Sequence, residues 1–322
     1  MSEKWYPIIA GPTASGKTAL AIALAKAIGG EVVSADSMQV YDEVSIGTAR
    51  PNLLEMDGIP HHLMGFLPLE DTYSVARYQE DAANVFEEIF ARCKTPIMCG
   101  GTGLYIQSFM ENRQLFEEEP DPQLRPQYMD IAAREGNEVL FEKLRLVDPA
   151  SADKLHVNDL HRIIRALEVF DTTGMTITQQ TELSHSVPSP YKPVLFVLDF
   201  KDRQKLYDRI NYRVSLMLED GLLDEAKRVL NANPNATVTQ AIGYKEFQAY
   251  FDGHCTLSDA ADRLRQQTRR YAKRQLSWFR RMENAHTIYV DDFALTDELL
   301  TAILNKYIEI TGKEGLYEQA KT

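Results

Sequence analysis

The sequence predicts an α/β protein: a mainly parallel sheet flanked by helices, a mostly helical insertion in its middle, and a helical C-terminal part. Three observations lead there. Strand and helix signals alternate over the first hundred residues, helix signals alone run from Asp121 to about Thr181, and a strand signal returns at Val194–Phe200. Strand–helix–strand units of this kind build parallel sheets covered by helices, and 322 residues suffice for about two domains.

The elements follow in order. Trp5–Ala10 is a short apolar strand, and Lys17–Ile28 is an Ala/Leu-rich helix pattern stopped by Gly29-Gly30. Glu31–Asp36 (EVVSAD) reads as a second strand, and His61-His62 as turn residues. In Ser74–Arg92 the apolar residues Val75, Tyr78, Ala82, Val85, Phe86 and Ile89 recur at helical spacing. Thr95–Cys99 is a third strand, running into Gly100-Gly101-Thr102-Gly103. Pro120, Pro122, Pro126 and Pro149 punctuate the helices that come next, and Ser184–Pro193, with three prolines, reads as a linker. A helical block from Arg203 to Met282, a strand at His286–Val290 and a terminal helix complete the chain. The expected organisation is a sheet domain built from residues 1–120 and 191–322 around an insertion at 121–190.

Composition narrows the function classes. With 44% hydrophobic and 25% charged residues the chain is neither disordered nor collagen-like. No apolar run nears the roughly 18–20 residues of a membrane span, and Met1–Pro7 has no signal-peptide pattern, so a cytoplasmic protein is expected. Cys93, Cys99 and Cys255 are too scattered for a disulfide framework or a zinc site. The net charge of −12 argues against nucleic-acid binding. That average hides one stretch: Arg263–Arg281 holds eight Lys/Arg and no acid, which leaves −20 for the rest.

Gly11-Pro12-Thr13-Ala14-Ser15-Gly16-Lys17-Thr18 fits G-x-x-x-x-G-K-[ST] in full, with a strand before it and a helix after it. The glycines let backbone N–H groups curl around phosphate oxygens, and the helix starting near Lys17 brings its positive dipole end there. Lys17 supplies a cation, and Thr18 a hydroxyl for Mg²⁺. The fold class is therefore P-loop NTPase-like, and the ligand a di- or triphosphate. A phosphoryl-transfer enzyme also wants a strand-end carboxylate for its magnesium, yet Ile97–Cys99 ends in Gly-Gly-Thr-Gly. Asp36 ends the strand after the P-loop helix, where parallel sheets line their ligand crevice. It is a candidate metal-water ligand or general base, or else a helix cap. Thr102 sits in a glycine-rich turn and can bond a substrate, or the turn is purely conformational. Asp199 reads as a helix N-terminal or turn carboxylate.

Arg209 and Arg213 lie four apart in a helical stretch and share a face, which a diphosphate between them would satisfy. A wheel of Arg263–Met282 puts Leu264, Tyr271, Gln275, Trp278 and Met282 on one core-like stripe. Arg263, Arg270, Arg274 and Arg281 fall on one flank, and Arg265, Arg269, Lys273 and Arg280 on the other. Eight cations without an acid look like a footprint for nucleic-acid phosphates. His161-Arg162-Ile163-Ile164-Arg165 is a further basic patch.

Taken together, these residues resemble the bacterial tRNA dimethylallyltransferase (tRNA isopentenyltransferase) family. The matching segments are GPTASGKT (Gly11–Thr18), SADSMQVY (Ser34–Tyr41), GTARP (Gly47–Pro51), GGTGLY (Gly100–Tyr105), HRIIRALEV (His161–Val169), the Arg209/Arg213 helix, IGYKEF (Ile242–Phe247) and KRQLSWFR (Lys273–Arg280). They cover nearly the whole chain in the family's order. The resemblance implies transfer of a dimethylallyl group from its diphosphate to N6 of the adenosine 3′-adjacent to the anticodon of tRNA. It implies that Thr13–Thr18, Arg209 and Arg213 bind diphosphate and Mg²⁺, Asp36 accepts the amine proton, and Thr102 orients the base. Asp36, Ser37, Met38 and Gln39 would read the adenosine. His161–Arg165, Val238–Lys245 (with Gly243 and Tyr244) and Lys273–Arg280 (with Arg274, Gln275 and Trp278) would grip the anticodon stem-loop, the protein acting as a monomer. Eukaryotic relatives carry a zinc finger; Phe293–Thr322 has no cysteine or histidine, so the bacterial form is the closer match. The rival readings are a P-loop small-molecule kinase, which leaves the basic segment unexplained, and a nucleotide-switched RNA-binding protein, which leaves Asp36 without a task.

Overall fold

The structure, a computed structural model, describes residues 3–114, 121–184, 187–232 and 237–313. Pro120, residues 185 and 186 of the expected linker, and the tail from 314 onward lie outside the described residues. The chain divides into two compact units, Met1–Met110 with Pro190–Thr322, and Glu111–Ser189.

In the first unit β1 (Trp5–Ala10), α1 (Lys17–Ile28) and β2 (Gly30–Ala35) come first, then α2 (Leu53–Met56), β3 (His61–His62), α3 (Val75–Ala91), β4 (Thr95–Gly100) and α4 (Gly103–Met110). The second unit is helical: α5 (Leu124–Glu135), α6 (Asn137–Val147), α7 (Pro149–Ala152), α8 (Leu160–Thr173) and α9 (Ile177–Ser184). The chain then returns with β5 (Lys192–Asp199), α10 (Arg203–Glu219), α11 (Leu222–Ala232), α12 (Gln248–Phe251), α13 (Leu257–Phe279), β6 (His286–Tyr289) and α14 (Thr296–Thr311). Local chemistry sets several of these boundaries. Gly29 ends α1 at φ 63, a left-handed conformation that glycine takes without strain. Ser74 caps α3, and Thr256 with Asp259 forms a capping box at α13.

The six strands form one parallel sheet in the order β3-β2-β4-β1-β5-β6. Alternate residues face opposite layers. Tyr6, Ile8, Val33 and Met98 pack with Phe86 and Ile89 of α3 and Phe109 of α4. Ile9, Val32, Ile97 and Phe196 pack with Leu24 of α1 and Ile303 and Tyr307 of α14. His61-His62 is a correction to the turn reading: the pair forms β3, registered against Val32 and Val33, and His62 Nε2 bonds Glu31 Oε2 at 2.8 Å. A two-residue strand has no periodicity to betray it. Among the described residues no helix is long and apolar enough to cross a membrane.

The helical unit has its own core of Tyr128, Leu140, Leu144, Ile163, Ile164 and Leu167. Ile163 and Ile164 were expected among the RNA contacts; both are fully buried there, so His161, Arg162 and Arg165 alone present that segment's outer face.

Strand β4 lies between β2 and β1, and its end must be narrow. A Cβ on Gly100 would stand 2.2 Å from the Ala35 carbonyl oxygen. Gly100→Ala should therefore lower the unfolding free energy by about 1–3 kcal/mol or more, measured by urea denaturation; unchanged stability would show that β2 and β4 can separate freely at this end.

Candidate active site

The P-loop turns directly off β1. Gly16 takes φ 94 ahead of α1, and Gly11, at φ 146, leaves no room for a Cβ, which would meet the Leu198 carbonyl oxygen at 2.7 Å. Lys17 Nζ donates to the Pro12 carbonyl at 2.7 Å. From α10, Arg209 Nε donates to the Ala14 carbonyl at 2.8 Å, and Arg213 Nη1 reaches Thr13 Oγ1 at 3.5 Å. The two arginines thus share the P-loop, as their spacing suggested. From α13, Gln275 Oε1 accepts the Thr13 N–H at 3.0 Å while its Nε2 donates to the Gly101 carbonyl at 3.0 Å.

A cavity of about 440 Å³ opens beside the loop. Thr13, Lys17, Thr18 and Arg213 line one part, Asp36, Ser37, Met38 and Gln39 another, and Tyr271, Arg274 and Gln275 a third. Gly47, Thr48, Ala49, Gly243 and Lys245 also line it. A second hollow of about 400 Å³ lies against Ala14, Gly16, Arg209, Tyr212 and Leu216. Lys17, Thr18 and Arg213 face both spaces. Thr102 does not line the cavity; its Oγ1 accepts the Ser37 N–H at 3.0 Å and so holds the turn that carries Asp36. Asp36 itself accepts the Met38 N–H at 3.0 Å through Oδ1, the cap-like bond of the milder reading, and still faces the cavity.

Electrostatics favour an anion at the P-loop end. Burial pushes Lys17 down to about 8, Arg213 adds to that, and Asp36 opposes it. Burial likewise holds the Arg213 guanidinium below its usual value, again opposed by Asp36. Two cations are thus short of solvent, and a phosphate oxygen would relieve both. Cys99, on the cavity wall, is pushed up to about 11 by burial and stays a thiol at neutral pH.

Several site assignments are revised. Gln275 is buried and engaged in the P-loop clamp while lining the cavity. Tyr244 is fully buried, its hydroxyl donating to Glu225 at 3.0 Å, so its side chain is not presented to an RNA surface. Arg280 bridges to the buried strand-end Asp199 at 2.9 Å, with Arg203 on the other oxygen at 3.4 Å. On the α13 wheel the buried residues are Leu264, Ala272, Gln275, Leu276 and Phe279; Trp278 is exposed and Tyr271 faces the cavity. Arg265 and Arg269 bond Asp262 and Asn211, whereas Arg263, Arg270, Lys273, Arg274 and Arg281 form no ion pair among the described residues. Lys273 is exposed.

Sequence reasoning missed Tyr271 and the Gly47–Ala49 wall. It also took the glycines of Gly100–Gly103 as turn-formers. A Cβ on Gly101 would stand 2.1 Å from Gln275 Nε2, and one on Gly103 would stand 2.4 Å from the Trp278 ring. They make room for α13. Among the described residues no group of three or more His, Cys, Asp or Glu is placed to hold a metal ion.

The family described as IPP transferase matches residues 39–282, and that described as isopentenyl transferase matches residues 5–65. The chain is 48% identical to the tRNA dimethylallyltransferase of Bacillus subtilis (strain 168) over 274 residues, 85% of this chain and 87% of that one. It is 42% identical to the tRNA dimethylallyltransferase of Thermoanaerobacter sp. (strain X514) over 304 residues, 94% of this chain and 96% of that one. The full-length tRNA isopentenylpyrophosphate transferase of Bacillus halodurans superposes with a TM-score of 0.71 at 39% identity, covering 99% of each chain. A eukaryotic dimethylallyltransferase solved acting on tRNA superposes with a TM-score of 0.80 at 31% identity, covering 95% of this chain and 80% of that one.

Without ligand, Lys17 should titrate near 8 rather than near 10.5, seen in its side-chain nitrogen shift. The unfolded chain holds that proton more tightly, so stability should rise with pH from about 8 to 10.5. Lys17→Met should abolish the rise; a titration midpoint above 10 would mean the ammonium is fully solvated.

Proposed function

The chain belongs to the IPP transferase family, and from that premise we propose that it transfers the dimethylallyl group of dimethylallyl diphosphate to N6 of the adenosine 3′-adjacent to the anticodon of tRNA. The observation that carries this reading is the sharing of one cavity by the P-loop cations and Asp36. The cations suit a diphosphate leaving group, and the carboxylate suits the proton of an attacking amine.

The steps balance without phosphoryl transfer. The C1–O bond of the donor breaks and its electron pair leaves with the diphosphate. P-loop N–H groups, Lys17, Arg209 and Arg213 stabilise the charge that develops there. N6 attacks C1, and Asp36 takes the proton that the amine loses. The Met38 N–H bonds that carboxylate, and Thr102 holds the same turn through the Ser37 N–H. Tyr271 stays protonated, because burial and the nearby Asp36 charge both raise it, and its phenol is a donor on the cavity wall. The Thr18 hydroxyl suits Mg²⁺, which takes phosphate oxygens, water and few protein ligands. When bound, the ion supplies further positive charge to the diphosphate.

For the RNA, Arg263, Arg270, Lys273, Arg274 and Arg281 of the α13 segment, Lys245, and His161, Arg162 and Arg165 of the helical unit supply phosphate contacts. The protein acts as a monomer in the cytoplasm. The kinase alternative is not favoured. The strand beside β1 ends in Gly100-Gly101, and Asp199, the acid ending β5, is buried against Arg203 and Arg280 rather than free for magnesium.

Incubation with labelled dimethylallyl diphosphate, Mg²⁺ and unmodified tRNA should place the label in N6-isopentenyladenosine; ATP turnover with no labelled RNA would return the kinase reading. In that assay Asp36→Ala should lower turnover by about 10²–10⁴-fold with little change in tRNA affinity. Equal losses in both would remove its role as base. Arg270→Gln with Arg274→Gln should weaken tRNA binding and reduce the slope of log affinity against log salt by about two. An unaltered slope would turn this face of α13 away from RNA.

A further inference from the structure

The cavity wall formed by Gly47, Thr48 and Ala49 has no regular secondary structure of its own, yet it is tied down from a distant helix. Glu225 of α11 is 2% exposed and faces donors on four residues. Its Oε2 accepts the N–H of Ser45 at 2.9 Å and of Ile46 at 3.0 Å, and its Oε1 accepts the N–H of Gly47 at 2.7 Å and the Tyr244 hydroxyl at 3.0 Å. Three successive backbone N–H groups on one carboxylate fix the course of the chain through that loop. The Tyr244 side chain closes the arrangement: a Cβ on Gly47 would meet its hydroxyl at 2.7 Å and its ring at 2.8 Å. From the same loop the carbonyls of Thr48 and Ala49 accept Gln39 Nε2 at 3.1 and 3.3 Å, while Gln39 Oε1 accepts Ser34 Oγ at 3.2 Å. Gln39 is itself on the cavity wall, three residues from Asp36.

We propose that Glu225 is a positioning residue for the acceptor side of the cavity. Through the Ser45–Gly47 amides it sets the Thr48 and Ala49 carbonyls that orient the Gln39 amide, and through Tyr244 it docks the neighbouring Gly243 wall on the same loop. This rests on the transferase reading above, in which Asp36–Gln39 faces the nucleobase. The diphosphate end is built by other contacts, from α10 and α13 to the P-loop. Loss of Glu225 therefore acts on the nucleic-acid substrate and spares the phosphate cradle. A carboxylate is required, since a glutamine would turn an N–H toward one of the donors that Glu225 accepts.

The test compares the wild-type protein, Glu225→Gln and Tyr244→Phe in the labelled-transfer assay, beside binding of inorganic diphosphate and amide hydrogen exchange. Glu225→Gln should lower kcat/KM for tRNA by about 10–100-fold, with diphosphate affinity within twofold of wild type. Its Ser45, Ile46 and Gly47 amides should exchange faster while β1 and β4 amides keep their protection. Added Gln39→Ala should cost less in the Glu225→Gln background than alone, because the two act in series. Wild-type kinetics with a loosened loop would overturn the proposal, as would a matching loss of diphosphate binding, the mark of a general structural role. If Glu225→Gln does not fold, Tyr244→Phe keeps the ring and decides the same question: selective loss toward tRNA supports it, unchanged kcat and KM overturn it. Absence of label from RNA with the wild-type protein would instead strike the transferase reading, and the amide exchange would still report whether Glu225 holds the loop.

Discussion

The side-chain amide of Gln275 is the joint on which the site depends. One buried group, 262 residues from its partner in sequence, accepts the Thr13 N–H of the P-loop and donates to the Gly101 carbonyl at the end of β4. Removing it would leave two polar backbone groups short of partners in a buried setting, at about 1–3 kcal/mol each. Its geometry requires that nothing project from Gly101, and the neighbouring contact with Trp278 requires the same of Gly103. The P-loop is therefore held from two sides, by α10 through Arg209 and by α13 through Gln275, before any ligand arrives.

That arrangement explains why charge is stored at the site. In water Lys17 would sit near 10.5, but burial at the P-loop depresses it to about 8, and Arg213 beside it is depressed for the same reason. Net stability of a domain is only about 5–15 kcal/mol, so two poorly solvated cations are retained at a real cost to the fold. On the proposed reaction an incoming diphosphate would remove that cost, and the negative charge gained by its bridging oxygen during bond breaking would remove more of it. A site of that kind would stabilise the leaving group more than the bound donor, which is the condition for acceleration rather than mere affinity.

The sheet was legible in the sequence because its strands are continuous apolar runs and its helices keep helical spacing. Trp5–Ala10 and Lys17–Ile28 have the bounds that the pattern implied. β3 was not legible, since two histidines carry no period. At the site, the P-loop, Asp36 and the Arg209/Arg213 pair are local patterns and can be read directly. Gln275, Glu225 and Tyr271 cannot, because each looks like an ordinary helical residue until a segment far away in sequence is folded against it. The basic run of α13 was half informative: Arg265, Arg269 and Arg280 turn to protein partners, a distinction set by Asp262 one turn earlier on the same helix and by Asn211 and Asp199, whose proximity no wheel reveals. Ile163 and Ile164 show the opposite error, apolar core residues drawn into a basic patch by mere adjacency.

On the proposed reaction, in which Asp36 takes the amine proton, a modest set of contacts prepares it for that task. Its Oδ1 is occupied by the Met38 N–H, and Oδ2 makes no hydrogen bond among the described residues. One oxygen thus fixes the rotamer while the other remains able to accept a proton. Thr102 receives the Ser37 N–H through Oγ1 and gives its own N–H to the Ala35 carbonyl, so the residues on both sides of Asp36 are held to the end of β4. Lys17 and Arg213 also feel its charge from the P-loop side, which places the acid within electrostatic reach of the leaving group as well as of the nucleophile.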